Sequence, residues 1–172
     1  TGANEVVNLV FGTWIKDSFG LAFESLTVAS VLIGSSELAS EFLSAIFLDK
    51  FGKTRTILAG LILNILVVLI LPFTKVSFWA ALLFLGAYYI SFEFALIAYL
   101  TFMSEFMPKA RATVMAVTVA TFSLGRVIGS AIGPALYREG FWLICLSAAL
   151  LNLAAIILFR IRKLDKAGSQ AA

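Results

Sequence analysis

The chain is 172 residues long, 61% apolar and only 13% charged, with a net charge of +3 at pH 7 and no histidine. Soluble domains run nearer half apolar and about a quarter charged, so a mean hydropathy of +1.01 excludes an ordinary soluble protein and points to an integral membrane protein. Without histidine the chain lacks the side chain most used for proton relay near neutral pH and for transition-metal ligation, so proton chemistry must run on carboxylates and neither a metal nor another cofactor is expected.

Crossing about 30 Å of hydrocarbon takes roughly 20 mostly apolar residues. Residues 1–15 turn hydrophobic at Val6 but are too short to span, and read as the end of a helix whose beginning is missing. No initiator Met and no signal-peptide pattern opens the chain, which therefore reads as a fragment. Spans are expected at 21–48, 57–73, 78–103, 112–137 and 141–160, forming one bundle over 1–165 with a disordered tail at 166–172. The alternating strands of a membrane barrel are absent, so the fold class is all-α, a transmembrane helix bundle. Pro72 and Pro134 fall near helix ends, and Pro108 opens a helix where its missing N–H costs little. The single Cys145 lies inside the last span and has no intrachain partner for a disulfide.

Lys50, Lys53, Arg55, Lys109, Arg111, Arg160, Arg162, Lys163 and Lys166 fall on one side of these spans; Lys16, Lys75 and Arg138 fall on the other. The positive-inside rule puts the larger group and the C-terminus in the cytoplasm. The positive charge thus serves topology and calls for no nucleic acid; the partners expected are the lipid bilayer and a small-molecule substrate.

Spans 57–73 and 141–160 are almost wholly apolar, interrupted inside by Asn64 and by Ser147 and Asn152, and are expected to form the outer wall. In 21–48, Thr27, Ser30, Gly34, Glu37, Glu41 and Ser44 recur at intervals of three and four, on one helix face. A carboxylate near the bilayer centre costs about 2.5–3.5 kcal/mol or more, so such a face belongs on an interior or a watery cavity. Gly86, Tyr89 and Glu93 share the same spacing in 78–103, and 112–137 carries Arg126 between Ser123 and Ser130. A Glu93–Arg126 or Glu37–Arg126 pair would lower the cost of both charges. Three acids against one arginine leave carboxylates unmatched, and these are the groups able to take up and release a proton. Gly125, Gly129 and Gly133 form a run that lets another backbone approach closely, and they read as packing surface in preference to a binding site. Glu5, Asn4 and Asn8 could line the same cavity, and Tyr88, Tyr89 and Tyr99 could be core as readily as substrate contacts.

The loop between the second and third apolar segments holds Ala45, Asp49, Lys50, Gly52, Lys53 and Arg55. It resembles the signature Gly-x-x-x-Asp-Arg/Lys-x-Gly-Arg/Lys-x-Arg/Lys of the major facilitator superfamily, with Ala45 in place of the usual glycine. The stretch from Pro108 through Arg111 to Thr113 is similar to the entry of the fifth helix of a half in that family. The resemblance covers nearly the whole chain and implies the C-terminal six-helix half of a twelve-helix permease, its first helix truncated and its N-terminal half the partner. It implies that the first, second, fourth and fifth helices line a central cavity; polarity separately selects the second, fourth and fifth as inward and the third and sixth as outward here. It also implies a conformational latch of Asp49, Gly52, Lys53, Arg55 and Arg111, with Asp49 near the N-terminus of the 112–137 helix, whose dipole favours an anion. Gly52-Lys53-Thr54 is no phosphate-binding loop, since the pattern's first glycine would fall at Phe47.

The function expected is a secondary transporter in the plasma (inner) membrane, moving a small organic solute by alternating access as a proton-coupled export antiporter. Glu37, Glu41 and Glu93 would carry the proton, Arg126 would tune them or hold an anionic group, and Tyr89 would shape the pocket. A membrane-embedded transferase would need a catalytic base or metal cluster, and Asp17, Asp49 and Asp165 are scattered, so no enzyme is expected. A non-transporting binding or assembly protein of the same fold is the alternative, distinguished by substrate-dependent stabilisation without flux.

Overall fold

The structure is a computed structural model that describes residues 1–20 and 23–169, the side chains of 23–26 and 162–169 excepted. The described residues form helices α1 (Gly2–Asn8), α2 (Phe11–Phe19), α3 (Phe23–Phe51), α4 (Lys53–Ile70), α5 (Phe78–Phe106), α6 (Arg111–Glu139) and α7 (Phe141–Ser169), with 3-10 turns at Leu71–Val76 and Pro108–Ala110. Among the described residues five stretches are long and apolar enough to cross a membrane: Thr27–Phe51, Lys53–Val76, Phe78–Phe106, Pro108–Glu139 and Phe141–Ile161. The molecule is an all-α membrane helix bundle.

The helices reach further into the loops than hydropathy alone indicates. The break between α3 and α4 is Gly52, whose φ of 77° is a conformation that side-chain-bearing residues rarely adopt. Lys53, Thr54 and Arg55 therefore stand in the first turn of α4. Arg111 likewise opens α6, after Met107 takes an extended conformation ahead of Pro108. The start of the expected 21–48 span lies outside the described residues, as do 170–172 of the expected tail; α7 runs to Ser169.

The segment expected as one piece over 1–15 is two helices. At the junction the Val10 N–H bonds the Val7 carbonyl at 3.1 Å, three residues back, before α2 resumes and extends to Phe19. Its apolar side chains explain the fold around it: Val6, Val7, Trp14 and Ile15 are buried against α5 and α7, and Trp14 stacks on Phe141 at 4.2 Å. On its other side α1 lies along the small-residue stripe of α6. A methyl group added at Gly129 would fall 2.8 Å from the Gly2 carbonyl oxygen and 3.0 Å from Cβ of Glu5, a contact only glycine permits.

α4 and α7 turn Leu66, Leu69, Leu150, Leu153 and Leu158 outward, as an outer wall requires. Their polar residues bond to one another and to α5 across the bundle. Asn152 Nδ2 donates to Asn64 Oδ1 at 2.7 Å, and Asn64 Nδ2 donates to the Tyr88 carbonyl and to Ser91 Oγ, each at 2.9 Å. Ser91 in turn donates to the Tyr88 carbonyl at 2.8 Å, so three helices are joined by a buried network. Where α4 meets α5, Gly60 faces Ala95 with no room for a Cβ.

Two outcomes follow. Replacing Asn152 with leucine leaves Asn64 Oδ1 without its donor, and replacing Asn64 leaves Asn152 Nδ2 without its acceptor; each should cost about 1–3 kcal/mol, and the double variant clearly less than the sum, read from thermal unfolding of the purified protein. Gly129→Val should lower stability by about 1–3 kcal/mol by overpacking, with crosslinking between cysteines placed on α1 and α6 reporting their separation.

Candidate functional site

Because α1 is drawn so close to α6, its Glu5 meets the polar residues that flank the glycine stripe. Arg126 Nε donates to Glu5 Oε2 at 2.9 Å and Ser130 Oγ donates to Glu5 Oε1 at 3.3 Å. The two charges are unequally covered: the Glu5 side chain is 11% exposed and that of Arg126 63%. A buried carboxylate is thus neutralised and hydrogen-bonded, while the guanidinium keeps most of its surface open.

This corrects the expected pairing of Arg126 with Glu93 or Glu37. Those two acids reach the same place from α5 and α3, and with Glu5, Arg126, Phe92 and Phe122 they line a cavity of about 320 Å³. Glu93 is half-buried and Glu37 exposed. Three carboxylates therefore share one space with a single arginine, and the arginine is engaged with the deepest of them. Glu37 is the α3 residue that faces this space; Glu41, one turn along, is exposed and does not line it, although it lies near enough to act on the charge of Glu93.

α3 positions Glu37 through a second face. Ser36, Ser40 and Ser44 are buried towards α5, and Gly86 of α5 sits against Ser36 and Leu32. That serine row holds the helix by close packing and leaves Thr27, Ser30, Glu37 and Glu41 of the predicted polar face on the open side.

Tyr89 stands behind the cavity. It is 2% exposed, and its hydroxyl donates to Asn8 Oδ1 at 2.6 Å, at the last residue of α1 before the junction with α2. Tyr88 donates to the Ala3 carbonyl at 3.3 Å, so both tyrosines fix α1 and neither contacts the open space. Tyr99 of α5 packs its ring against Phe122 of the cavity wall, centroids 5.8 Å apart.

At the basic end the geometry differs from the expected latch. Among the described residues Asp49, Arg55 and Arg111 make no ion pair, all three are exposed, and no extensive contact joins α3 to α6. The ion pair formed there is Lys53 with Glu105, tying the start of α4 to the end of α5. An exposed pair of this kind contributes about 0–1 kcal/mol, and Lys50 rests over the Phe51 ring at 5.5 Å. Gly52 shapes the turn itself. Basic residues 162, 163 and 166 fall where side chains are not described.

Comparison with known proteins agrees with this architecture. A curated relative, the uncharacterized MFS-type transporter YceJ of Bacillus subtilis (strain 168), is 24% identical over 131 residues, covering 74% of this chain and 33% of that protein. The match thus spans about a third of the relative's length. No solved structure matches the chain. A family model described as Major Facilitator Superfamily matches residues 1–172, the whole chain, and the protein therefore belongs to the major facilitator superfamily.

Proposed function

We propose that this bundle is half of a secondary transporter that carries a small organic solute across the plasma (inner) membrane by alternating access, exporting it in exchange for protons. The observation that carries the reading is the cavity in which Glu5, Glu37 and Glu93 converge on Arg126. Charged groups at membrane depth are costly, and those that face a cavity without a paired counter-charge mark ion and substrate pathways. With Glu5 occupied by Arg126, Glu37 and Glu93 are the carboxylates free to exchange a proton, and Glu41 serves as a nearby acid along α3. Arg126, largely open, binds an anionic group of the solute or releases Glu5 when the cavity rearranges. The missing neighbour on the open faces of α3 and α6 is the N-terminal half of the same transporter, which rocks against this one about the site. Asp49, Gly52, Lys53, Arg55 and Arg111 form a latch at the cytoplasmic end that closes in another conformation of the cycle.

The test is flux by the full-length protein in proteoliposomes under an imposed pH gradient. Glu37→Gln and Glu93→Gln should each lower proton-driven flux by about tenfold or more, consistent with charges whose placement in the membrane is costly, while solute binding persists. Undiminished proton-driven flux in both variants would remove them from the mechanism. Flux that follows a sodium gradient instead would replace the coupling ion, and stabilisation by solute without any flux would favour a binding or assembly role. Reporter fusions at the C-terminus and in the loop at Lys75 should report cytoplasm and exterior respectively; the reverse pattern would overturn this orientation.

A further inference from the structure

A second cavity, of about 480 Å³, lies away from the acids, at the end of the bundle where α3 and α4 part from their turn at Gly52. α3 and α4 pack on α5 far more than on each other. The space between them is therefore a V whose floor is α5. Its walls are apolar: Leu43 and Phe47 on α3, Ala59 and Leu63 on α4, and Phe94 on α5, with Phe47 and Phe94 edge to face at 5.6 Å. Leu43, Phe47 and Leu63 are 38%, 39% and 49% exposed, although each stands in a helix that crosses the membrane. A furrow so lined offers water and small ions no partner, and a bilayer leaves no space empty.

One end of the furrow is not apolar. Arg55, in the first turn of α4, lines it and makes no ion pair among the described residues, Glu105 being bound to Lys53. From Arg55 to Leu63 along α4 is about 12 Å at 1.5 Å per residue, so the cation sits at the rim and the apolar walls run inward from it. Lys50, Lys53 and Arg55 outnumber Asp49 at this end. An occupant must therefore bring a flexible hydrocarbon chain and an anionic head in that order.

We propose that this furrow holds an acyl chain of an anionic phospholipid, with the lipid phosphate on the Arg55 guanidinium. The site differs from the cavity at Arg126 in its residues and in its chemistry. The guanidinium matches phosphate oxygens with two parallel N–H donors, and its stem follows the apolar wall to the interface.

The full-length protein, purified and delipidated in detergent, would be offered phosphatidylglycerol and phosphatidylcholine in equal amount, with retained lipid counted by native mass spectrometry. The parent protein should keep phosphatidylglycerol in preference. Arg55→Gln should lower that preference about fivefold, the effect of one basic residue at a lipid surface. Ala59→Trp, which fills the furrow from an exposed position, should lower retention of both lipids. Soluble glycerol phosphate should displace neither. Unchanged preference in Arg55→Gln in a protein that unfolds at the parent temperature would overturn the proposal, as would displacement by glycerol phosphate, which would make the site one for free phosphate.

Discussion

Every polar group carried into the apolar depth of this bundle has to find its partner inside the bundle, and the arrangement of the helices follows from how those partners are found. In water an unpaired asparagine or tyrosine hydroxyl turns to solvent at little cost; among lipid chains and leucines it has no such recourse. The solutions here are local and specific. Asn152 bonds Asn64, Asn64 bonds α5, and the two tyrosines of α5 reach α1. Four of the helices are thereby fixed in register by bonds that apolar packing alone, which is tolerant of sliding, would not specify.

The charged pair obeys the same constraint and creates the site in doing so. Close approach over Gly125 and Gly129 brings α1 to α6, and Arg126 and Ser130 each follow one of those glycines by a single residue. Glu5 is delivered to them by backbone proximity. Once it has taken Arg126, the acids of α3 and α5 are left facing a shared space with their charges unmatched. The same contact that holds α1 against α6 leaves Glu37 and Glu93 on the cavity wall with the arginine already engaged.

The other end of the molecule is governed by shape. A single glycine between α3 and α4 makes the turn so short that the two helices must diverge from it, and α5 fills only the floor of the gap. The basic residues of the signature loop then stand on a helix turn at the membrane boundary, with Lys53 held by Glu105 and Arg55 unengaged. Charges that share one short sequence motif thus have separate surroundings.

The sequence by itself determined the class of the protein, the number and order of the membrane-crossing helices, and which of them have a polar face, because these depend on hydropathy and on a 3.6-residue period that any helix must obey. It also made the family legible in the residues from Ala45 to Arg55. It placed Glu37, Glu93 and Arg126 at similar depth, since depth is a matter of counting residues from a helix end. Only the tertiary structure decided that Arg126 belongs to Glu5, that Tyr89 supports α1 from behind the cavity, and that Asp49 forms no ion pair among the described residues. Those are questions of helix rotation and proximity, and they turn on contacts between residues more than a hundred positions apart, such as Glu5 and Arg126. Two signals went unread although they were present: a lone asparagine in each outer span, which can be satisfied best by the other, and polar side chains immediately following the stripe glycines, which any closely packed helix must meet.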